Sequence, residues 1–241
     1  MKICHLSLLG LLFTASVAHA QQDAAAQTNL NALAAGAPTV VPRGTADGFR
    51  GSPYADNRWL PAQITLTNAL PLPPVPLKYD ALDHRLLMRA PARPNDSLQL
   101  DDNRVVQFVL NEPATLSGPA RARKFRRFAE APTDNYKRDY VEVLHQGRYT
   151  LLKHYLKKLN KANYQGAYNT ESHYDEIEDK SVYYLLGPDA KLVPVKLALK
   201  PLQSAAPALA AALKTAAEAR KPKTDADWAA VLDTADPAAA K

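Results

Sequence analysis

The chain has 241 residues, 46% of them hydrophobic, with 30 Lys and Arg against 24 Asp and Glu and a single cysteine. That length and apolar content suffice for a packed core, and one cysteine excludes an internal disulfide framework. A formal charge of +6 is compatible with anionic partners, but a surplus of that size is an ordinary solubility feature.

Lys2 supplies a positive start, Leu6 to Val17 an apolar run, and Ala18-His19-Ala20 a small-x-small site before Gln21. This predicts a signal peptide over 1–20, cleaved after Ala20, and hence a protein exported to the periplasm, the outer cell surface or the medium. The apolar run is shorter than the roughly 18 to 20 residues of a transmembrane helix, so the mature chain is expected to have no span. Cys4 precedes the run, where it cannot serve as a lipid-modified cysteine. Cleavage removes Lys2 and Cys4, leaving a charge of +5 and no thiol for catalysis or metal binding.

Residues 21–50 are rich in Ala, Gln, Thr, Asn, Gly and Pro and predict a disordered or weakly helical spacer. A β-rich domain is expected over 51–197. Trp59 to Leu66 alternates apolar and polar residues; Val75 to Tyr79 and Arg85 to Arg89 flank a polar connection; Ser97 to Leu100 and Val105 to Leu110 flank Asp101-Asp102-Asn103. The pattern predicts an antiparallel β-meander or a partly closed barrel. A tight hairpin is expected at Tyr140 to Tyr155, with Gly147 at positive φ in a two-residue turn that places Val143 opposite Thr150 and Val141 opposite Leu152. Both of its faces are partly apolar, which suggests a strand pair covered on each side. Ser181 to Leu186 and Lys191 to Lys196 form a further hairpin.

From residue 198 the period shifts to 3.6. Leu202, Leu209, Leu213 and Ala216 make an apolar stripe, with Pro207 at a helix start, and Thr224 with Asp227 resembles a capping pair before Trp228. Two or three helices are therefore expected over 198–235, packed on or beside the sheet, then a tail over 236–241. The fold class is mainly β, α+β.

Two candidate contact regions stand out. Arg121, Arg123, Lys124, Arg126 and Arg127 interleave with Phe125 and Phe128. They form either a docking strip for phosphate or carboxylate, or a strand that buries its phenylalanines and leaves its cations in solvent. Asn160 to Lys180 is long for a connection and carries Tyr164, Tyr168 and Tyr174, candidates for ligand contact, beside His173, Asp175, Glu176, Glu178 and Asp179. Their spacing matches no calcium loop or zinc helix, so no metal or cofactor is expected. Neither a nucleophile elbow nor a phosphate loop occurs, and His145 and His154 should not meet.

The order Gly51-Ser52-Pro53-Tyr54, Val75-Pro76-Leu77-Lys78-Tyr79, Tyr140-Val141-Glu142-Val143-Leu144, Asn163-Tyr164-Gln165-Gly166 and Tyr183-Tyr184-Leu185 resembles a family of uncharacterised exported proteins of Bacteroidota-type Gram-negative bacteria. The resemblance covers about residues 51–235 and brings no catalytic or binding residues with it. Together these features lead to an expected non-enzymatic binding or structural protein of the cell envelope. Its partner would be an anionic envelope polymer or another envelope protein, with nucleic acid disfavoured by export. The alternative is a small hydrolase acting on an envelope polymer.

Overall fold

The computed structural model describes residues 12–40, 49–90, 93–116, 118–161 and 174–237. Helix α1 (Leu12–Ala34) comes first. The strands are β1 (Thr39–Val40), β2 (Phe49–Gly51), β3 (Leu60–Leu66), β4 (Val75–Asp80), β5 (Arg85–Ala90), β6 (Arg93–Gln99), β7 (Val105–Glu112), β8 (Arg121–Arg127), β9 (Tyr140–Gln146), β10 (Thr150–His154), β11 (Lys157–Asn160), β12 (Asp175–Asp179), β13 (Val182–Leu186) and β14 (Leu192–Val195). Helices α2 (Leu199–Ala205), α3 (Ala210–Arg220) and α4 (Asp225–Ala235) close the chain. Among the described residues no helix is long and apolar enough to cross a membrane.

Eleven strands form one antiparallel sheet in the order β1, β6, β5, β4, β3, β7, β8, β9, β10, β13, β14, and β11, β12 and β2 form a second, small sheet. The sheet is mainly a meander, β3 to β6 and β7 to β10 each running neighbour to neighbour, and its widest step joins these two runs. The chain leaves β6, passes through a compact 3-10 turn at Asp102–Arg104, and enters β7, four strand positions away. Four spacings are about 19 Å, nearly the full reach of so short a connection. A flat sheet would leave no slack for the turn, so the strands must curl and bring β6 toward β7. The strand order does not close on itself, so of the two expected forms, an antiparallel meander sheet or a partly closed barrel, the meander sheet is the one that forms.

Inside the curl lies the main core. Strand β3 alternates buried Leu60, Ala62, Ile64 and Leu66 with outward Pro61, Gln63 and Thr65, the period-2 pattern of a half-buried strand. Phe108 and Phe125 stack at 4.8 Å between ring centroids, and Tyr79 meets both rings edge-on. A second core joins Leu151 and Leu185 of the sheet to Leu202, Leu213, Trp228, Val231 and Leu232 of the C-terminal helices. A third gathers Phe128, Val141, Leu152 and Tyr184. β9 and β10 are therefore central strands with apolar clusters on both faces, as their sequence suggested. Helix α4 opens with the expected capping box: Thr224 Oγ1 accepts from the Asp227 amide at 3.2 Å, and Asp227 Oδ2 accepts from the Thr224 amide at 2.8 Å.

The structure refines or corrects several of the sequence expectations. Of the disordered and weakly helical forms expected for 21–50, the helical one is found over 21–34, and it is packed: Leu30 and Leu33 enter the main core while Asn29 donates to the Pro71 carbonyl at 3.0 Å. Thr39 and Val40 continue the order by pairing with Leu98 and Ser97. The connection from Asn160 to Lys180 contains β12, which pairs with β11 on one side and β2 on the other. The hairpin register also differs: Gln146 pairs with Thr150, His145 with Leu151, Val143 with Leu152 and Val141 with His154, a bulge at Leu144 absorbing the extra residue.

Gly147 is absent from the positive-φ glycines and is required for a different reason. A Cβ there would collide with the carbonyl of Asp236, lie 2.6 Å from Asp236 Oδ2 and lie 2.8 Å from His145 Nε2. The end of α4 docks into this turn, where the Tyr149 amide donates to Asp236 Oδ2 at 2.7 Å.

Candidate functional site

A cleft of about 330 Å³ opens where the long sheet, the small sheet and the start of α4 meet. Arg121 and Arg123 of β8, Glu112 of β7, Glu142 of β9, Lys153 of β10, Lys157 of β11, Asp179 of β12, Asp225 of α4 and Asp56 before β3 line it, with Tyr155 between β10 and β11. A junction of separate elements is the usual place for a ligand site.

The floor is a buried charge network. Arg123 donates to both oxygens of Glu142, at 2.8 and 2.9 Å, and further to Asp56 at 2.9 Å and the Tyr155 hydroxyl at 2.8 Å. That hydroxyl in turn donates to Glu142 at 2.5 Å. The fork geometry uses the guanidinium fully, which is what a buried arginine needs. Burial alone would ease deprotonation of Arg123, but its hydrogen bonds to Glu142 and the surrounding carboxylates outweigh that and push its pKa upward. Burial pushes the Tyr155 phenol upward, and Glu142 adds to it.

The walls are ion pairs. Lys153 donates to Asp225 at 2.6 Å, and its ammonium lies 4.7 Å from the Tyr155 ring centroid and 5.5 Å from that of Tyr183. Lys157 donates to Asp179 at 2.7 Å, and Arg121 donates to Glu112 at 3.3 Å. Tyr183 donates to the other oxygen of Asp225 at 2.7 Å; burial first and this bond second push its pKa upward. Burial opposes ionisation of Asp56 and Asp179, yet the hydrogen bonds from Arg58 and from Lys157 and Ser181 hold both below the usual carboxylate range. The Arg58 hydrogen bond holds Glu112 low as well.

The arginine strip is divided by this geometry. Arg121 and Arg123 belong to the cleft, and Arg123 is buried beside Phe125, so the cations do not form one solvated edge. Arg126 is paired with Glu130 at 2.7 and 3.0 Å, and Arg127 donates to the Arg138 carbonyl and lies 4.1 Å from the Tyr140 ring centroid. No continuous row of free cations results. Tyr174 stacks under Arg50 at 3.4 Å, away from the cleft lining. Tyr164, Tyr168 and His173 lie outside the described residues.

Sequence reasoning missed Glu142, Tyr155, Lys153 and Asp225, because an apolar-flanked Glu and a strand Lys acquire meaning only through their cross-sheet partners. His145 and His154 do stay apart. His145 Nδ1 lies 2.6 Å from Asp233 Oδ1, whereas His154 Nε2 lies 2.8 Å from Asp139 Oδ2, whose other oxygen is 2.8 Å from His84 Nδ1. Among the described residues no group of three or more His, Asp or Glu side chains converges to hold a metal ion. No protein-family model, no curated protein and no solved structure matches the chain.

Proposed function

We propose that this chain is a non-enzymatic binding protein of the cell envelope and that the cleft is its site. The observation that carries the reading is geometric: the charged side chains of the cleft are held in pairs, Arg123 with Glu142 and Asp56, Arg121 with Glu112, Lys153 with Asp225 and Lys157 with Asp179, and such bonds also move Asp56, Glu112 and Asp179 down and Arg123 up. General acid–base chemistry needs a group whose pKa lies near the working pH, whereas recognition needs charges that stay fixed. The envelope location rests on the leader pattern at 1–20 and on the resemblance of the sequence landmarks to those of a family of exported proteins.

The test is sedimentation of the chain starting at Gln21 with isolated Gram-negative envelopes, for the parent and for Lys153→Met. Association that weakens in the variant while its melting midpoint holds supports the proposal. Release of soluble fragments from a labelled envelope polymer by the parent, lost in the variant, would overturn it and favour the hydrolase reading.

A further inference from the structure

We propose that the cleft takes an uncharged polyhydroxyl ligand, a neutral saccharide segment, in preference to an anionic polymer; this rests on the reading of the cleft as a binding site. The first argument is charge. The lining carries four cations, Arg121, Arg123, Lys153 and Lys157, against a larger number of carboxylates. An anion would find no surplus of positive charge, and each cation it engaged would have to be taken from a carboxylate that already holds it.

The second argument is the unused hydrogen-bonding capacity of those pairs. A lysine ammonium has three donors and a carboxylate about four acceptor positions. Lys153 spends a donor on Asp225, whose two oxygens each accept one bond, from Lys153 and Tyr183. Lys157 and Asp179 are engaged in the same partial way. Each wall pair thus presents a donor beside an acceptor with the ion pair intact. A hydroxyl is both donor and acceptor, so neighbouring hydroxyls on a sugar ring can bridge such a pair without breaking it. A free ammonium or carboxylate on the ligand can satisfy only one member and competes with the other. The lining offers little apolar wall, its aliphatic members being Ala55 and Leu144, which disfavours a lipid chain.

The experiment is saturation-transfer NMR and calorimetry on the chain starting at Gln21, with maltotriose and chitotriose as neutral probes and polygalacturonate and polyphosphate as anionic ones, at low and high salt. We expect a neutral oligosaccharide to bind with an affinity insensitive to salt. Lys153→Met should weaken it on the order of tenfold, the scale of a lost hydrogen bond to a charged group, with Lys157→Met as a second variant, on the small sheet. Binding of only the anionic probes, falling steeply with salt, would overturn the saccharide inference and leave the binding-protein reading intact. Envelope association that neither substitution alters, with no probe bound, would overturn both.

Discussion

Replacing Arg123 with Met should be the most damaging single change in the cleft. The guanidinium is 6% exposed and makes four hydrogen bonds to Glu142, Asp56 and Tyr155. Without it Glu142, itself 3% exposed, keeps only the Tyr155 hydroxyl. Removing one member of a buried ion pair costs about 3–5 kcal/mol because the other charge is left uncompensated. The surviving Tyr155 bond sets the expectation near the lower bound, about 3 kcal/mol, still a large share of the roughly 5–15 kcal/mol that holds a domain folded. The informative control is Arg123→Met with Glu142→Leu, which removes both charges. Hydrophobic replacement of a whole pair is often close to neutral, so the double variant should be more stable than the single one. Urea unfolding followed by fluorescence of the two tryptophans, Trp59 and Trp228, gives both midpoints. A single variant that unfolds with the parent, or a double variant no more stable than the single one, would refute the account of the network.

Gly147→Ala should destabilise by about 1–3 kcal/mol through overpacking against Asp236 and His145, and an unchanged urea midpoint would mean that α4 does not seat in the turn. Leu33→Ala should cost about 2–5 kcal/mol as a core truncation; a parent-like midpoint would show that the first helix is not held on the core in solution. His84 has its pKa raised chiefly by its hydrogen bond to Asp139, so its contribution is fully present below the unfolded value of about 6.5 and is lost as pH rises through the folded one. The parent's melting temperature should therefore carry an alkaline decline that His84→Ala lacks, and identical profiles would count against the pair.

The parts of the fold legible in the sequence are those fixed by local pattern. Alternation marked β3 through Leu60, Ala62, Ile64 and Leu66, and the Thr224–Asp227 box marked α4 because its hydrogen bonds close within one turn. The first helix was undervalued although Ala26, Leu30 and Leu33 recur at helical spacing, since three apolar positions among Gln and Ala look too few to pack until the curved sheet supplies the surface. The hairpin register failed at Leu144, where a bulge inserts a residue that no alternation rule anticipates. The site was least legible. Arg123 looked like one cation among five, and its identity as the centre of a network depends on Glu142 and Asp56, brought in from other parts of the chain.

The parallel pairing of β2 with β12 bears on the order in which the molecule assembles. It joins Phe49–Gly51 to Asp175–Ile177, ends of a loop longer than half the chain, while most of the long sheet grows by neighbour-to-neighbour hairpins. Closing so long a loop costs more chain entropy than closing a hairpin, and three residues offer little in return. Gly51, at φ +84, lies so close to the Ile177 carbonyl that any side chain would block the contact. The small sheet should then be the last unit to form and the first to open, with the amides of β12 exchanging ahead of those of β7 and β8 in native-state hydrogen exchange. Since Lys157 and Asp179 reach the cleft from that sheet, the cleft wall is completed only at the end of folding. A chain nicked between β11 and β12 should keep its long sheet and lose that wall of the cleft.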